Sequence, residues 1–500
     1  MRDRLGQAAL LVASAVVLAL AFPRTDWEAA AWFSLTPLLV VALGARPHVA
    51  FAWGWLYGLA FFLVLLRWLD YTFRTYSAIP WPLTWGPLFL LAAWCGLHVA
   101  VVSGLLSLIA HRGSPAWALL TAPCLWVAAE WVRGHLFGGF PWGTLGYSQY
   151  LRLPIIQVAE LGGVHAVSFV LVAVNAALAG ALVLGWGRAV TGLGLAGALL
   201  GAVLIFGHTR LAQPPRPAEA QIALMQPSIE QPLKWDPNHA TVTLKIYLEL
   251  TRQAAAGRPD LIVWPETASP TPLRRDAGLL RTLAGMSGQL GIPLLIGSID
   301  VEDGPPPVLR NTAFLVTHGG IAGRYDKIHL VPFGEYVPLS GVIGFVRGWA
   351  EFIAELESGT RAVVLAGPPA PFGVVICYEG IFPDLFREFV NGGARVMVNM
   401  TNDGWFGRTS GPAQHLTMYP FRAVEHRIAV VRAANTGVSA FIAPSGQIVR
   451  HLGLFERGVL ADRVPLRQGR TLFTRVGDWV AWLSLAVAAA SVGSVLRRPA

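Results

Sequence analysis

The apolar and polar positions divide the chain into two textures. Up to about residue 210, long apolar runs follow one another with brief polar breaks. From 220 to about 467, short apolar runs alternate with amphipathic stretches and turns, and one last apolar run then closes the chain. Residues 5–22 carry no charge and are long enough to cross a bilayer. Ala19-Leu20-Ala21 resembles a cleavage site, but more apolar runs follow at once, which favours a retained span over a signal peptide. Further spans are expected near 29–43, 49–66, 83–110, 116–132, 164–184 and 191–207, with an eighth over 479–496. The domains expected are a seven-helix block over 1–210, an α/β domain over 220–467 and a terminal helix over 474–498. In the middle domain, strands are expected over 222–225, 261–264, 293–296, 312–316, 374–377, 396–400, 429–432 and 439–443. Helical patterns at 241–255, 277–290 and 381–391 lie between them, and strands alternating with helices indicate an α/β fold.

Composition sharpens this reading. In 500 residues, hydrophobic types make up 54% and charged types 13%, well below the roughly 25% charged of ordinary soluble proteins. The net charge of +9 would suit nucleic acid, but no Lys/Arg run supplies a phosphate-binding stripe, so a nucleic-acid partner is not expected. Arginines beside apolar runs fit anionic lipid headgroups instead. Basic residues near the span ends weakly favour an internal N-terminus. Seven spans then put the middle domain outside and the eighth returns the C-terminus inside. In a bacterium this means the inner membrane, a periplasmic domain and two cytoplasmic termini. Three cysteines exclude a disulfide framework.

Three strand ends in the middle domain carry unusual groups. Phe372-Gly373-Val374-Val375-Ile376 reads as a buried strand ending in Cys377, Tyr378 and Glu379. An isolated buried cysteine is ordinarily packing. Leu261-Ile262-Val263-Trp264-Pro265 delivers Glu266, and Arg324-Tyr325-Asp326 delivers Lys327, followed by Glu335. Alone, each reads as a solvated turn residue. Together they form a plausible catalytic set, because a thiol needs a base to become a nucleophile. Attack on a carbonyl then creates an oxyanion, which needs preorganised positive charge or N–H donors. Lys327 and the backbone N–H of Tyr378 are the candidates.

Trp264-Pro265-Glu266, Tyr325-Asp326-Lys327 and Cys377-Tyr378-Glu379 resemble the signature of the nitrilase, or carbon–nitrogen hydrolase, superfamily. That resemblance implies an α-β-β-α sandwich with Glu266 as general base and acid, Lys327 as oxyanion stabiliser, Cys377 as nucleophile and Glu335 as support for the lysine. With eight spans around such a domain, the chain is similar to the apolipoprotein N-acyltransferase family. Gly139-Phe140-Pro141-Trp142, Gln226-Pro227, Lys234-Trp235, the run from His329 to Pro338 and Asn402-Asp403-Gly404-Trp405-Phe406 extend the likeness. It implies acyl transfer from a phospholipid, through a cysteine thioester, to the α-amino group of a diacylglyceryl-modified apolipoprotein, by a monomer in the bilayer without cofactor or metal. Trp142, Trp235, Trp405 and Phe406 are candidate substrate-binding or gating aromatics, each with an alternative reading as an ordinary interfacial aromatic. The apolar stretch 341–349 either dips into the bilayer interface as a flap or packs on the domain's own core.

Other polar groups have simpler readings. Glu130 is expected to pair with Arg133. Glu379 is expected to orient the site or Lys327, or to cap the following helix. His98 and His165 are expected to be packing residues. No metal-ligand spacing and no phosphate-binding glycine loop stand out. Two other functions fit parts of the pattern. One is a membrane-tethered amidase or nitrilase that passes its acyl group to water. The other is a transporter or scaffold whose outer domain only binds.

Overall fold

The computed structural model describes residues 2–213, 217, 219–234, 236–338 and 355–497. The stretch 341–349 and Trp235 therefore lie outside the described residues. The chain folds as two compact units. The first comprises Met1–Asp70, Trp81–Gln213 and Thr471–Ala500, and the second Tyr71–Pro80 and Pro214–Arg470.

The first unit is helical. In chain order it holds α1 (Arg2–Ala19), α2 (Thr36–Gly44), α3 (Pro47–Leu65), the start of α4 (Trp68–Tyr76), α5 (Trp85–Arg112), α6 (Pro115–His135), α7 (Leu153–Ile156), α8 (Ala159–Val183) and α9 (Trp186–Leu211). The helix Trp479–Leu496 completes it. Among the described residues, five helices are long and apolar enough to cross a membrane: α3, α5, α8, α9 and Trp479–Leu496. The other three expected spans are helical but do not reach that measure. α1 opens on three charged residues, Arg2, Asp3 and Arg4, α6 carries Glu130 and Arg133, and the 29–43 stretch breaks into a 3₁₀ turn at Glu28–Trp32 before α2. Pro37, at the start of α2, suits a new helix better than a continued one. Helices α3 and α5 approach closely because their facing positions are glycines. A Cβ on Gly58 would lie 2.7 Å from the Gly96 Cα, the small-residue contact favoured between membrane helices.

The expected Glu130–Arg133 pair does not form. One Glu130 oxygen accepts the Leu145 N–H at 2.7 Å. Arg133 Nη1 donates to the Phe140 and Trp142 carbonyls, both at 2.6 Å. The 139–145 loop offered buried backbone groups with no helical partner, and these outcompeted an ion pair within one helix. His98 accords with packing, its ring held against the Cys95 carbonyl and edge-on to Phe62. His165 instead lies 3.6 Å from the Asp478 carboxylate.

The second unit is built on two sheets. Strands β1 (Ala220–Gln226), β2 (Leu261–Val263), β3 (Leu294–Glu302), β4 (Val308–Thr317), β5 (Gly320–Asp326), β6 (Phe372–Ile376), β7 (Val396–Thr401), β8 (Val430–Ala434), β9 (Ser439–Ile442), β10 (Ile448–Leu452) and β11 (Gly458–Val464) form them. One sheet has the order β11-β1-β2-β3-β4-β5 and the other β10-β9-β8-β7-β6. The strand trios β1-β2-β3 and β6-β7-β8 are parallel, and the flanking pairs are antiparallel. Strands β2 and β6 are buried along their whole length, which explains their continuous apolar runs. The faces of β1 and β4 meet β8 and β6 of the other sheet. Helices α10 (Gln231–Lys234), α11 (Ala240–Ala255) and α12 (Ala277–Leu290) precede the second sheet, with α11 and α12 covering the outer face of the first. Helices α13 (Pro383–Asn391), α14 (Gly411–Leu416) and α15 (Met418–His426) follow β6 and β7, with α13 and α15 covering the second sheet. The layers are therefore helix, sheet, sheet, helix.

Candidate active site

The strands β2, β5 and β6 all end at one place, and each end delivers a chemically active side chain. Beyond β2, Trp264 is fully buried and stacks on Tyr247 with ring centroids 4.4 Å apart. Its indole N–H donates to Thr251 Oγ1 at 3.1 Å. That anchor fixes the turn carrying Glu266. Gly297 on β3 lies beneath the turn, where a Cβ would lie 2.6 Å from the Thr267 N. Only glycine admits the turn this close to the sheet.

Glu266 Oε1 accepts from Asn311 Nδ2 at 2.8 Å and lies 3.5 Å from Lys327 Nζ. Its other oxygen, Oε2, is buried without a hydrogen-bond partner among the described residues. Lys327 is 1% exposed. Its Nζ donates to Glu335 Oε1 at 2.8 Å, and its backbone N–H donates to the Asn311 carbonyl at 2.8 Å. Burial alone would push this ammonium down, but Glu335, Glu266 and Cys377 outweigh it and hold its pKa above the ordinary lysine value. Lys327 therefore stays charged. Glu335 is held in turn, its second oxygen accepting the Val331 N–H at 2.8 Å.

Cys377 follows β6 with φ +53°, a left-handed conformation uncommon for a non-glycine residue. Burial pushes its thiol up to about 12, Glu266 adding to the rise and Lys327 opposing it. At neutral pH it rests as a thiol and needs a base at the moment of attack. The strained backbone is clamped. Its carbonyl accepts from Tyr419 Oη at 3.1 Å. Tyr419 lies against a buried polar cluster in which Arg432 Nη2 reaches Asp403 Oδ2 at 2.6 Å and His415 Nδ1 reaches Asp403 Oδ1 at 3.0 Å. Burial favours the neutral Asp403 carboxyl, but Arg432 and His415 outweigh it and hold the group down at about 2.

Glu379 ties the nucleophile to the lysine loop. Its Oε2 accepts the Ile376 N–H at 2.7 Å, capping the turn after β6. Its Oε1 accepts from Tyr325 Oη at 2.7 Å and from the Ile328 N–H at 2.6 Å. Burial pushes this carboxyl up to about 7 against those donors. Tyr378 is half-buried, its ring edge-on to Phe382 at 5.1 Å.

The structure thus brings Glu266, Lys327, Glu335, Cys377 and Glu379 into one buried cluster. Trp405 and Phe406 occupy the loop after β7, where Trp405 stands edge-on to Tyr76 at 4.9 Å. Trp142 lies in the first unit and packs on Trp68 at 5.1 Å. Asn311, which bridges Glu266 and Glu335, gave no sequence signal, being a lone amide in a strand. Nor did Tyr419, Arg432 or His415 stand out.

Comparisons with known proteins cover most of the chain. The family model of the apolipoprotein N-acyltransferase N-terminal domain matches residues 14–177, and that of carbon–nitrogen hydrolases matches 221–472. The apolipoprotein N-acyltransferase of Geobacter metallireducens is 38% identical over 98% of this chain and 95% of its own. The chain belongs to the apolipoprotein N-acyltransferase family. Another member, from Gloeobacter violaceus, is 34% identical over 95% of this chain and 92% of its own. Among solved structures, an amidase from Nesterenkonia sp. covers 51% of this chain and 93% of its own at 24% identity and TM-score 0.39. The family model over 221–472 assigns the second unit to the carbon–nitrogen hydrolase fold.

Proposed function

We propose that this protein transfers a fatty acyl chain from a membrane phospholipid to the α-amino group of the N-terminal diacylglyceryl-cysteine of apolipoproteins. The observation that carries this reading is the buried Glu266–Lys327–Cys377 cluster in a chain that matches the family from end to end. Glu266 takes the thiol proton, its unpartnered oxygen being the acceptor. The thiolate attacks the ester carbonyl, and Lys327 with the Tyr378 N–H stabilises the oxyanion. Collapse expels the lysophospholipid oxygen, which takes the proton from Glu266, and leaves a Cys377 thioester. The lipoprotein amine then attacks, passing a proton through Glu266 to the departing thiolate, and an amide replaces the thioester. An α-amino group with pKa near 8 offers a useful neutral fraction at pH 7.

The protein acts as a monomer with eight spans, its α/β unit on the periplasmic face of the inner membrane and both termini in the cytoplasm. Trp142, Trp235, Trp405 and Phe406 are the candidate substrate-binding or gating aromatics. Mass spectrometry of Cys377 after incubation with phospholipid alone tests the first step, and a diacylglyceryl peptide added afterwards tests the second. An acyl adduct that moves to the peptide is expected. Free fatty acid without peptide acylation would favour the hydrolase instead.

A further inference from the structure

Lys234 is a second buried lysine at the site, and the steps above do not use it. It closes α10 and is 7% exposed. Its Nζ donates to the Glu266 backbone carbonyl at 2.9 Å and to the Thr267 hydroxyl. Thr267 has φ +44°, so the turn that presents Glu266 is strained in the same left-handed sense as the nucleophile. A buried ammonium is expensive to desolvate, and a neutral donor would satisfy a carbonyl and a hydroxyl equally well. The charge therefore calls for a reason beyond these two hydrogen bonds. Among the described residues, the charged and titratable groups that act on it include Glu266, on the turn after β2, and Cys377, after β6.

We propose that Lys234 is a positioning residue for the general base, holding the Glu266 turn in its left-handed shape while adding a second positive charge to the field in which Cys377 ionises. The proposal rests on the thioester reading above. Lys327 serves the oxyanion from the β5 side and Lys234 serves the base from the α10 side. The two lysines differ in how firmly they keep their charge. Burial pushes Lys234 down to about 8 despite Glu266 and Cys377, whereas Lys327 stays above its ordinary value. The Cys377 thiol sits near 12. Lys234 is thus the cation of this cluster that loses its charge near pH 8, while the Glu379 carboxyl, near 7, ionises below it.

The test uses the full-length protein in liposomes of phosphatidylethanolamine and phosphatidylglycerol, with Cys377 acylation followed by rapid quench and mass spectrometry from pH 6 to 10. Absence of any adduct in the wild type would overturn the thioester reading itself, separately from Lys234. Given an adduct, the wild-type rate is expected to fall above about pH 8. Lys234→Met is expected to slow acylation about 100-fold at pH 7, with the half-saturating lipid fraction within about twofold of wild type and the alkaline fall gone. Lys234→Arg, charged throughout this range, is expected to abolish the alkaline fall while recovering at least tenfold of that loss. Should Lys234→Met fail to fold, Lys234→Arg decides alone. Persistence of the alkaline fall in Lys234→Arg, or a Lys234→Met rate within about threefold of wild type, overturns the proposal.

Discussion

Glu266 carries two different oxygens. Oε1 is engaged by Asn311 and faces Lys327, while Oε2 has no hydrogen-bond partner among the described residues. An unpaired buried carboxylate oxygen is costly unless a proton is to arrive there. Glu266→Gln keeps the shape and the possibility of an Asn311 contact but removes the proton acceptor. It is expected to leave the thermal midpoint within a few degrees of wild type and to slow thioester formation by about 10²–10⁴. Rapid-quench mass spectrometry checks this, and a normal rate would remove Glu266 as the base. Lys327→Met should behave differently. It leaves the Glu266 and Glu335 carboxylates facing one another without the buried cation. Breaking a buried pair by removing one partner costs about 3–5 kcal/mol, so both acylation and the denaturation midpoint of the solubilised protein are expected to fall. The three reactive residues were legible in the sequence because each sits in a short motif, and Glu266 and Cys377 also follow recognisable apolar strands. Asn311 was not, because an amide that bridges two carboxylates looks locally like any polar strand residue.

Elements place these residues, and the turn after β6 shows how tightly. A Cβ on Gly380 would run into the Tyr419 hydroxyl, the group that clamps the Cys377 carbonyl. Gly380→Ala therefore forces α15 away from the nucleophile, at about 1–3 kcal/mol for overpacking. Added Tyr419→Phe is expected to recover little of that stability, since the ring carbons Cε1 and Cζ still clash with the new Cβ, and none of the acylation rate. Unfolding midpoints and acylation rates of the single and double variants check both halves. The loop after β7 carries a pH dependence of its own. The folded Asp403 carboxyl sits at about 2, below its usual 3.8. A depressed carboxyl contributes stability above the unfolded value, and that contribution is lost as pH falls from 3.8 towards 2. At about 1.4 kcal/mol per pH unit, this is about 2 kcal/mol. Asp403→Asn should be less stable than wild type at pH 5, and the gap should narrow by about that amount near pH 2. Chemical denaturation at both pH values measures it, and an unchanged gap would deny Asp403 its depressed pKa. Strand legibility followed burial. The fully buried strands, the edge strand β6 among them, announce themselves as apolar runs, whereas β5, β10 and β11 gave no clear signal. All three are edge strands, with glycines or charges on half-exposed faces. Helix α15 was missed for the opposite reason, since its arginine, glutamate and histidine are polar yet buried.

At the scale of the whole chain, the α/β unit is an insertion between helices of the first unit. Its ends are neighbours, for β1 and β11 pair antiparallel with Ala220 opposite Val464. A domain whose two ends meet on adjacent strands can sit between two helices without unravelling a sheet, and the change of texture near 210 and 470 made those limits legible. The other two crossings, at either end of 71–80, were not legible. Residues 71–80 follow an apolar run and read as a loop between spans, yet they belong to the second unit. There Thr72 Oγ1 donates to the Trp405 carbonyl at 3.0 Å and Tyr76 Oη to the Gly404 carbonyl at 3.1 Å. Such contacts join positions more than 300 residues apart, and no local pattern encodes them. They do make the order of the Trp405 loop depend on a segment from the N-terminal half. A neutral hydrogen bond contributes about 0.5–1.5 kcal/mol, so Tyr76→Phe, which keeps the ring against Trp405, should speed amide exchange in 403–407 about 2- to 10-fold. The β6 strand, whose backbone pairs with β7 and not with that loop, should exchange as in the wild type. Hydrogen–deuterium exchange on the full chain in lipid measures both segments. Equal exchange of the loop in the two proteins would mean that the ring contact alone orders it.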